Sequence, residues 1–323
     1  MSLTQEQVDE LLTMDYEAEA DRVSACIRSA LRNRLHRRGL VVAMSGGIDS
    51  SVCAALAVRA LGPKKVFGLL MPEQDSSSFS GERGEVLAKH LGIEFTVQNI
   101  APTLDAIGCY EVRDDAIRTV IPEYGEGWKN KIVISGGLDG QVNHFKLVAQ
   151  TPDGEMMEVR LPLKAYLTIV AATNHKQRIR KTLEYFHADR LNYAVVGTPN
   201  RLEYDQGFFV KNGDGSADLK PIAHLFKTQV YAMARHLGLP EDICSAIPTT
   251  DTYSLPQGQD EFYFALPYHL MDVALHAQES GKSTAELAHI MGIDEVQAKR
   301  IYADIDSKRS TTEYLHLAPV LMD

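Results

Sequence analysis

The stretch "VVAMSGGIDSSVCAAL" at residues 41–56 joins a short apolar run to an amphipathic segment through two glycines. This pattern predicts a buried strand, a tight turn and then a helix. Backbone N–H groups at a helix N-terminus converge on an anion, and the helix dipole favours negative charge there. Ser45, Ser50 and Ser51 add hydroxyl donors. The stretch therefore predicts a phosphate-binding turn.

Asp49 lies inside this turn, where a carboxylate would repel phosphates unless a cation lay between them. The arrangement therefore implies Mg²⁺. The spacing matches neither of two common phosphate-binding motifs, G-x-x-x-x-G-K-[ST] and G-x-G-x-x-G, so the turn is of a third kind. The alternative interpretation is an ordinary strand-to-helix turn with Asp49 as the N-cap residue.

A second Ser-Gly-Gly-x-Asp turn occurs in "VISGGLDGQV" at residues 133–142. Gly140 interrupts any helix after it, and the following "HFKLVAQ" is typical of a strand. Without a helix N-terminus the turn lacks aligned donors. We interpret it as a hairpin or loop turn rather than a second phosphate site.

The rest of the chain predicts a doubly wound α/β fold. The segments "KKVFGLLMP", "IEFTVQNI" and "LNYAVVGT" are typical of buried strands, and helical segments such as "SGERGEVLAKHLG" alternate with them. Residues 124–163 depart from this rhythm and predict an inserted β-hairpin around "TPDG". Residues 226–323 are predicted to be mainly helical. We expect one domain over 1–323, since no change in composition marks a linker.

The composition excludes several classes of protein. The 323 residues are 45% hydrophobic and carry a formal net charge of −10, which disfavours a nucleic-acid partner. No apolar run predicts a membrane span, and the acidic, polar N-terminus is unlike a signal peptide, so we expect a soluble cytoplasmic protein. Four scattered cysteines indicate neither a zinc site nor a disulfide framework.

The chain resembles a known enzyme family. "SGGIDSS" is similar to the nucleotide loop of the ATP-pyrophosphatase superfamily, which has a Rossmann-like sheet. Four further segments resemble, in order, those of ammonia-dependent NAD synthetases: "NHKQRIR" at 174–180, "GTPNRLEYDQGFFVKNGDGSADLKPIAHLFKTQV" at 197–230, "IPTTD" at 247–251 and "QGQDE" at 257–261. The resemblance implies a homodimer that amidates deamido-NAD through an acyl-adenylate, with ATP converted to AMP and pyrophosphate.

The resemblance also implies roles for individual residues. The expected ATP-binding residues are Ser45, Gly46, Gly47, Asp49, Ser50, Ser51, Thr198, Lys227 and Thr249. The expected deamido-NAD-binding residues are Asn174, Arg178, Lys211 and Asp214. Asp49 and Glu203 would hold Mg²⁺. Asp49, Lys227 and Asp214 would be catalytic, and Asp214 could also orient ammonium.

Three departures from the family pattern, of which Pro199 within "GTPN" is the first, leave the identity of the acid substrate open. The segment 124–163 lengthens the spacing between Ser45 and Asn174, and the C-terminal "SKRSTTEYLHLAPVLMD" lacks a His-Lys pair. An amide synthetase for another carboxylic acid is therefore the alternative. About forty residues before the nucleotide turn are too few for a glutamine-hydrolysing domain. We expect free ammonia or a separate ammonia donor as the nitrogen source.

The sequence disfavours two other classes of function, a DNA-binding regulator and a tRNA-modifying ligase. The segment "KSTAELAHIMGIDEVQAKRIYADI" at 282–305 superficially resembles a helix-turn-helix, which would make the chain a nucleotide-sensing regulator. Its second helix is nearly neutral, which disfavours DNA binding. A tRNA-modifying ligase would need a reactive cysteine and a basic extension, and the sequence indicates neither.

Overall fold

The computed structural model describes residues 3–76, 78–135, 144–246, 252–256, 258, 263 and 266–322. The strands are β1 (Leu40–Ala43), β2 (Val66–Leu70), β3 (Glu94–Val97), β4 (Lys129–Ser135), β5 (His144–Gln150), β6 (Met156–Arg160) and β7 (Ala194–Val195). Four of them form a parallel sheet with the order β3-β2-β1-β7. β4, β5 and β6 form a separate antiparallel sheet.

Helices pack on both faces of the parallel sheet and on one face of the antiparallel sheet. They are α1 (Gln5–Leu11), α2 (Tyr16–Ala30), α3 (Ile48–Leu61), α4 (Ser78–Leu91), α5 (Ala101–Ala106), α6 (Cys109–Arg118), α7 (Leu163–Leu191), α8 (Arg201–Gln206), α9 (Lys227–His236), α10 (Glu241–Cys244), α11 (Tyr268–Glu279), α12 (Thr284–Met291) and α13 (Glu295–His316). A π-helical turn, Leu31–Leu35, extends α2. Among the residues that the structure describes, no helix combines the length and apolarity needed to cross a membrane.

The parallel sheet is buried on both faces at β1, β2 and β7, as their near-continuous apolar sequences predict, and it is partly exposed at the edge strand β3. Successive side chains of a strand point to opposite faces. Leu40 and Val42 of β1 therefore pack in the core that contains α2, α3 and α9, while Val41 packs against Phe67 and Val195 on the face covered by α7. The predicted doubly wound parallel sheet is confirmed.

The antiparallel sheet lies within residues 124–163, the segment in which the sequence predicted an inserted hairpin. β5 and β6 pair across the predicted turn, with Val148 opposite Glu158. β4 adds a third strand that the sequence did not reveal, with Ile134 opposite Phe145. This sheet packs on α6 and the start of α7, where Ile169 is fully buried. Ser135 of the second Ser-Gly-Gly motif is the last residue of β4, and the rest of that motif falls within residues 136–143, which are outside the described residues.

A further layer of helices forms the C-terminal part. α1, α8, α11, α12 and α13 share one hydrophobic core. α13 is the second helix of the segment that resembled a helix-turn-helix, and its Ala298, Ile301 and Ile305 are buried in this core. The helix thus has a packing role within the domain.

A buried charge cluster connects four chain segments beside the parallel sheet. Lys176 of α7 is fully buried, and its Nζ lies 3.1 Å from Glu73 Oε1 and 2.6 Å from Asp75 Oδ2. The same Nζ donates to the backbone carbonyl of Thr252 at 2.8 Å. Arg113 of α6 adds a second cation, with its Nη1 2.5 Å from Asp75 Oδ2. The cluster fixes the loop after β2 against α6, α7 and residue 252.

We expect Lys176→Met to lower the free energy of unfolding by roughly 3–5 kcal/mol, because it removes the cation paired with the buried Glu73 and leaves Asp75 with Arg113 alone. Urea denaturation at neutral pH measures the change. The matched control is Lys146→Met, which breaks a more exposed pair with Glu158 at 3.0 Å. That pair should contribute less than about 1 kcal/mol. Equal losses in the two variants would contradict the structural role of the cluster.

Candidate active site

A cavity of about 800 Å³ opens where the strands of the parallel sheet end. The turn after β1, the residues Leu69–Pro72 at the end of β2 and the residues 196–199 after β7 all line it. One side of α7 and the end of α13 complete its walls. Ligands of open α/β sheets bind at this edge, beyond the carboxyl ends of the strands.

The turn between β1 and α3 has the geometry of an anion-binding loop. Gly46 has a φ of 75°, a conformation that side chains disfavour, and Gly47 is the N-cap of α3. Ser45 Oγ accepts a hydrogen bond from the Gly47 N–H at 3.3 Å and lies 3.2 Å from Ser50 Oγ. These residues line the cavity beside the N-terminus of α3. The predicted strand–turn–helix arrangement is thus present.

Ser51, the residue after Ser50, forms its hydrogen bond within the turn. Ser51 is fully buried, and its hydroxyl donates to the Gly47 carbonyl at 2.8 Å. Ser51 is not among the residues that line the cavity, whereas Ser50 is. Its observed contacts hold the first turn of α3 in place.

Asp49 is held between two residues that are distant in sequence. Its carboxylate forms an ion pair with Lys227, the first residue of α9, and accepts a hydrogen bond from Asn200 Nδ2 at 3.1 Å. Asn200 also caps α8 through the backbone N–H of Glu203 at 3.2 Å. Burial alone would lower the pKa of Lys227, but the charges of Asp49 and Glu203 raise it above its usual value. Lys227 is therefore a charged ammonium group at the cavity wall.

Asp272 of α11 is a supporting residue that the sequence did not reveal. Its side chain is fully buried and accepts hydrogen bonds from the backbone N–H groups of Lys227 at 3.2 Å and Thr228 at 2.7 Å. Burial raises its pKa to about 7, although these hydrogen bonds act in the opposite direction. The only signal in the sequence is one carboxylate within the apolar helix "HLMDVAL". Asp272 fixes the start of α9 and hence the position of Lys227.

The four residues expected to bind the acid line the same cavity. Asn174 and Arg178 lie on α7, and Lys211 and Asp214 lie in the loop after α8. Arg178 Nε donates to the Lys211 carbonyl at 3.4 Å. Lys211 Nζ donates to the carbonyl of Tyr314 in α13 at 2.6 Å, so the C-terminal helix closes this side. Burial raises the pKa of Asp214.

A buried ion pair next to these residues was also not predicted from the sequence. Lys181 and Glu184 of α7 both line the cavity, with Lys181 Nζ 2.7 Å from Glu184 Oε2. Burial raises the pKa of Glu184, and the Lys181 charge opposes this shift. The sequence offers only their spacing of three residues along a charged helix. The pair adds polar surface on the side of Asp214.

Asp49 and Glu203 are the carboxylates that the sequence predicted to bind a metal ion. In the described part of the chain no group of three or more His, Cys, Asp or Glu residues is arranged to hold a metal. Asp49 and Glu203 nevertheless line the same cavity and both act on Lys227. Mg²⁺ in nucleotide sites takes one or two protein carboxylates, with phosphate oxygens and water as further ligands. The donor set fits such an ion.

The remaining predicted residues divide into two groups. Thr198 lines the cavity directly after β7. Thr249 lies outside the described residues, as do 257 and 259–261 of the segment "QGQDE". Their predicted roles remain predictions.

The family model of NAD synthase matches residues 19–123 and 145–314 of the chain. The chain belongs to the NAD synthase family. It is 57% identical to the NH(3)-dependent NAD(+) synthetase of Rhizobium meliloti (strain 1021) over 312 residues, which cover 96% of this chain and 93% of the relative. It is 36% identical to the NH(3)-dependent NAD(+) synthetase of Thermotoga maritima, with 77% of this chain and 83% of the relative covered. The predicted family is confirmed.

Solved structures of related proteins share the fold. The NH3-dependent NAD synthetase from Campylobacter jejuni superposes with a TM-score of 0.63 at 23% identity, covering 96% of this chain and all of that chain. The NMN synthetase from Francisella tularensis gives a TM-score of 0.61 at 20% identity, covering 96% and 99%. The NAD synthase family model leaves residues 124–144 unmatched. That gap contains β4, so the added strand is a departure from the family pattern.

We expect Asp272→Ala to lower the free energy of unfolding by about 1–3 kcal/mol, because two buried N–H groups lose their acceptor. It should also lower kcat roughly 10- to 100-fold, since small displacements of a positioned group have effects of that order. Urea denaturation and steady-state kinetics measure the two effects. The control is Glu279→Ala on the same helix, where an ion pair with Arg201 is more exposed. Its expected loss is below about 1 kcal/mol.

The stability deficit of Asp272→Ala should depend on pH. The raised pKa of about 7 means that the folded state keeps this carboxyl protonated at pH values where the unfolded chain ionises it. Its contribution to stability is present at low pH and is lost as the pH rises through about 7. The difference in unfolding free energy between wild type and variant should be larger at pH 5 than at pH 8. The opposite order would contradict the raised pKa.

Proposed function

We propose that the chain converts deamido-NAD, ATP and ammonia to NAD, AMP and pyrophosphate. One observation carries this proposal: the turn at the N-terminus of α3 and the four acid-binding candidates line a single cavity. Such a cavity can bring a nucleotide phosphate and a second substrate together. Relatives that are 54–57% identical over 96% of the chain bear the name NH(3)-dependent NAD(+) synthetase.

The proposed reaction has two steps. The carboxylate oxygen of deamido-NAD attacks the α-phosphorus of ATP, and the bond to pyrophosphate breaks. Ammonia then attacks the acyl carbon, loses a proton, and AMP leaves as the amide forms. The first step places its largest developing charge on pyrophosphate. The N–H groups at the start of α3 and the Lys227 ammonium are arranged to stabilise that charge.

We further propose that Asp49 and Glu203 hold Mg²⁺ when ATP is bound. The ion would neutralise phosphate charge and polarise the bond that breaks. Asp49 is paired with Lys227 in the structure, so the same carboxylate can orient the ammonium group toward the phosphates. Asn200 holds the other oxygen of Asp49 in place at 3.1 Å.

The position of Asp214 in the cavity supports the proposal that its carboxyl group orients ammonium. Its buried carboxyl lines the cavity and accepts a hydrogen bond from the Val210 N–H at 2.7 Å. Its raised pKa makes it able to accept a proton nearer neutral pH than an exposed aspartate can. Free ammonia or a separate donor would supply the nitrogen.

An assay with ATP, Mg²⁺, ammonium and nicotinic acid adenine dinucleotide tests the function. We expect NAD, AMP and pyrophosphate in equal amounts by mass spectrometry, and no product from Lys227→Ala. Nicotinic acid mononucleotide and other carboxylic acids are offered in parallel. If another acid is amidated and the dinucleotide is not, the family assignment stands and the proposed substrate is wrong.

We also propose that the chain forms a homodimer, as the resemblance implies. An exposed apolar groove of about 500 Å³ lies between α6 and the start of α7. Its residues Val112, Leu163 and Leu167 are 46%, 71% and 54% exposed, which is unusual for large apolar side chains grouped on one face. A second copy of the chain would bury them.

Light scattering tests this assembly. The wild type should have about twice the 35.8 kDa mass of one chain, because the apolar groove is buried between copies. Leu167→Glu should shift the population toward monomer, since it places a charge in the groove. The control is Val296→Glu, whose position on α13 is 60% exposed and outside the groove. A monomeric wild type at micromolar concentration would contradict the proposal.

A further inference from the structure

The antiparallel sheet reaches the substrate cavity. Ile134 of β4 and Phe145 of β5 are directly opposite each other in the strand register, and both line the cavity. Directly opposed residues of an antiparallel pair project from the same face of the sheet. The added strand therefore supplies cavity wall as well as support for its neighbour.

Phe145 forms an aromatic pair with the start of α7. Its ring lies 3.9 Å from the ring of Tyr166, measured between centroids, with 12° between the planes. Both rings are half-buried and line the cavity. The pair joins the antiparallel sheet to the long helix and adds aromatic surface to the cavity wall.

α7 sets the distance between this pair and the acid-binding candidates. Tyr166, Val170, Asn174 and Arg178 follow each other at intervals of four residues, and all four line the cavity. Each interval advances about 6 Å along a helix axis. The aromatic pair therefore lies about 12 Å along the helix from Asn174 and about 18 Å from Arg178. A dinucleotide has two planar rings separated by a long polar linker, and it can contact positions this far apart.

We propose that Phe145 and Tyr166 form a stacking surface for a planar nitrogen heterocycle of the acid substrate. This inference rests on the proposed function. Aromatic side chains stack on the face of any base, so either the adenine or the pyridine ring of the dinucleotide has suitable chemistry. Ile134 and Val170 flank the pair with apolar surface. Of these four residues only Ile134 lies in the segment unmatched by the family model, whereas Phe145, Tyr166 and Val170 lie within the matched residues 145–314.

Steady-state kinetics of Phe145→Ala test the proposal. We expect the KM for nicotinic acid adenine dinucleotide to rise roughly tenfold, equivalent to about 1.4 kcal/mol. The kcat and the KM for ATP should stay within about twofold, because a lost stack weakens substrate binding in the ground state and transition state alike. Phe145→Leu keeps apolar volume without a ring and should behave like Phe145→Ala. Tyr166→Phe keeps the ring and should behave like wild type.

Val159→Ala is the matched structural control. Val159 lies on β6 of the same sheet, packs in the same core and does not line the cavity. A similar rise in the KM for the dinucleotide in this variant would overturn the proposal, since it would indicate a general disturbance of the sheet. An unchanged KM for the dinucleotide in both Phe145 variants would overturn it as well, as would an equal rise in the KM for ATP.

The inhibition constant of nicotinic acid mononucleotide, measured against the dinucleotide, distinguishes the two rings. If it rises in Phe145→Ala with the KM, the pyridine ring is the stacked group; if it stays constant, the adenine is. Both results support the stacking surface. Wild-type NAD formation is the separate test of the proposed function. If the wild type makes NAD and the Phe145 variants bind the dinucleotide normally, only the stacking inference fails.

Discussion

The ion pair between Asp49 and Lys227 is the contact on which the site depends. It connects the first turns of α3 and α9, two helices that begin 179 residues apart in the chain. Both partners lie at helix N-termini, where backbone N–H groups have no partner within the helix. The pair therefore places the Lys227 cation beside N–H donors that are oriented toward an anion. Removing either charge would leave the other in a poorly solvated position.

Two supports keep this pair in place. Asn200 binds Asp49 through its side-chain amide while it caps α8, and Asp272 binds the backbone at the start of α9. Each support comes from a different chain segment. The part of the cavity wall formed by Asp49 and Lys227 is therefore positioned by tertiary contacts among α3, α8, α9 and α11. The rigid sheet beneath it supplies only the direction of the first of these helices.

The sequence predicted the features that local patterns determine. The strand, turn and helix around "SGGIDSS" follow from apolar periodicity and two glycines, and the parallel sheet follows from alternating strands and helices. The NAD synthase family followed from ordered motifs. Long-range pairings had no such signal. The contacts of Asp272 and the burial of Lys176 became visible only when distant segments were brought together. Lys181 and Glu184 are neighbours on α7, but the sequence did not reveal that both line the cavity.

Strand β4 was missed for a related reason. Its "KNKIVIS" alternates polar and apolar residues only weakly, and pairing with β5 determines its conformation. Ser51 illustrates a different limit. Its predicted phosphate contact stays a prediction, and its hydroxyl donates to the Gly47 carbonyl inside the helix turn, as the hydroxyl of Ser50 also does. A motif identifies residue types, but it does not say which of two neighbouring serines faces the cavity.

The length of α7 restricts where residues can be inserted into this chain. The helix runs for 29 residues without glycine or proline, so the residues that face the cavity keep a fixed spacing. Inserting a single residue within it would rotate every later position by about 100°. Asn174 and Arg178 would then turn away from the cavity together. A change in chain length is accommodated far more readily in the antiparallel sheet before the helix, where the extra strand lies.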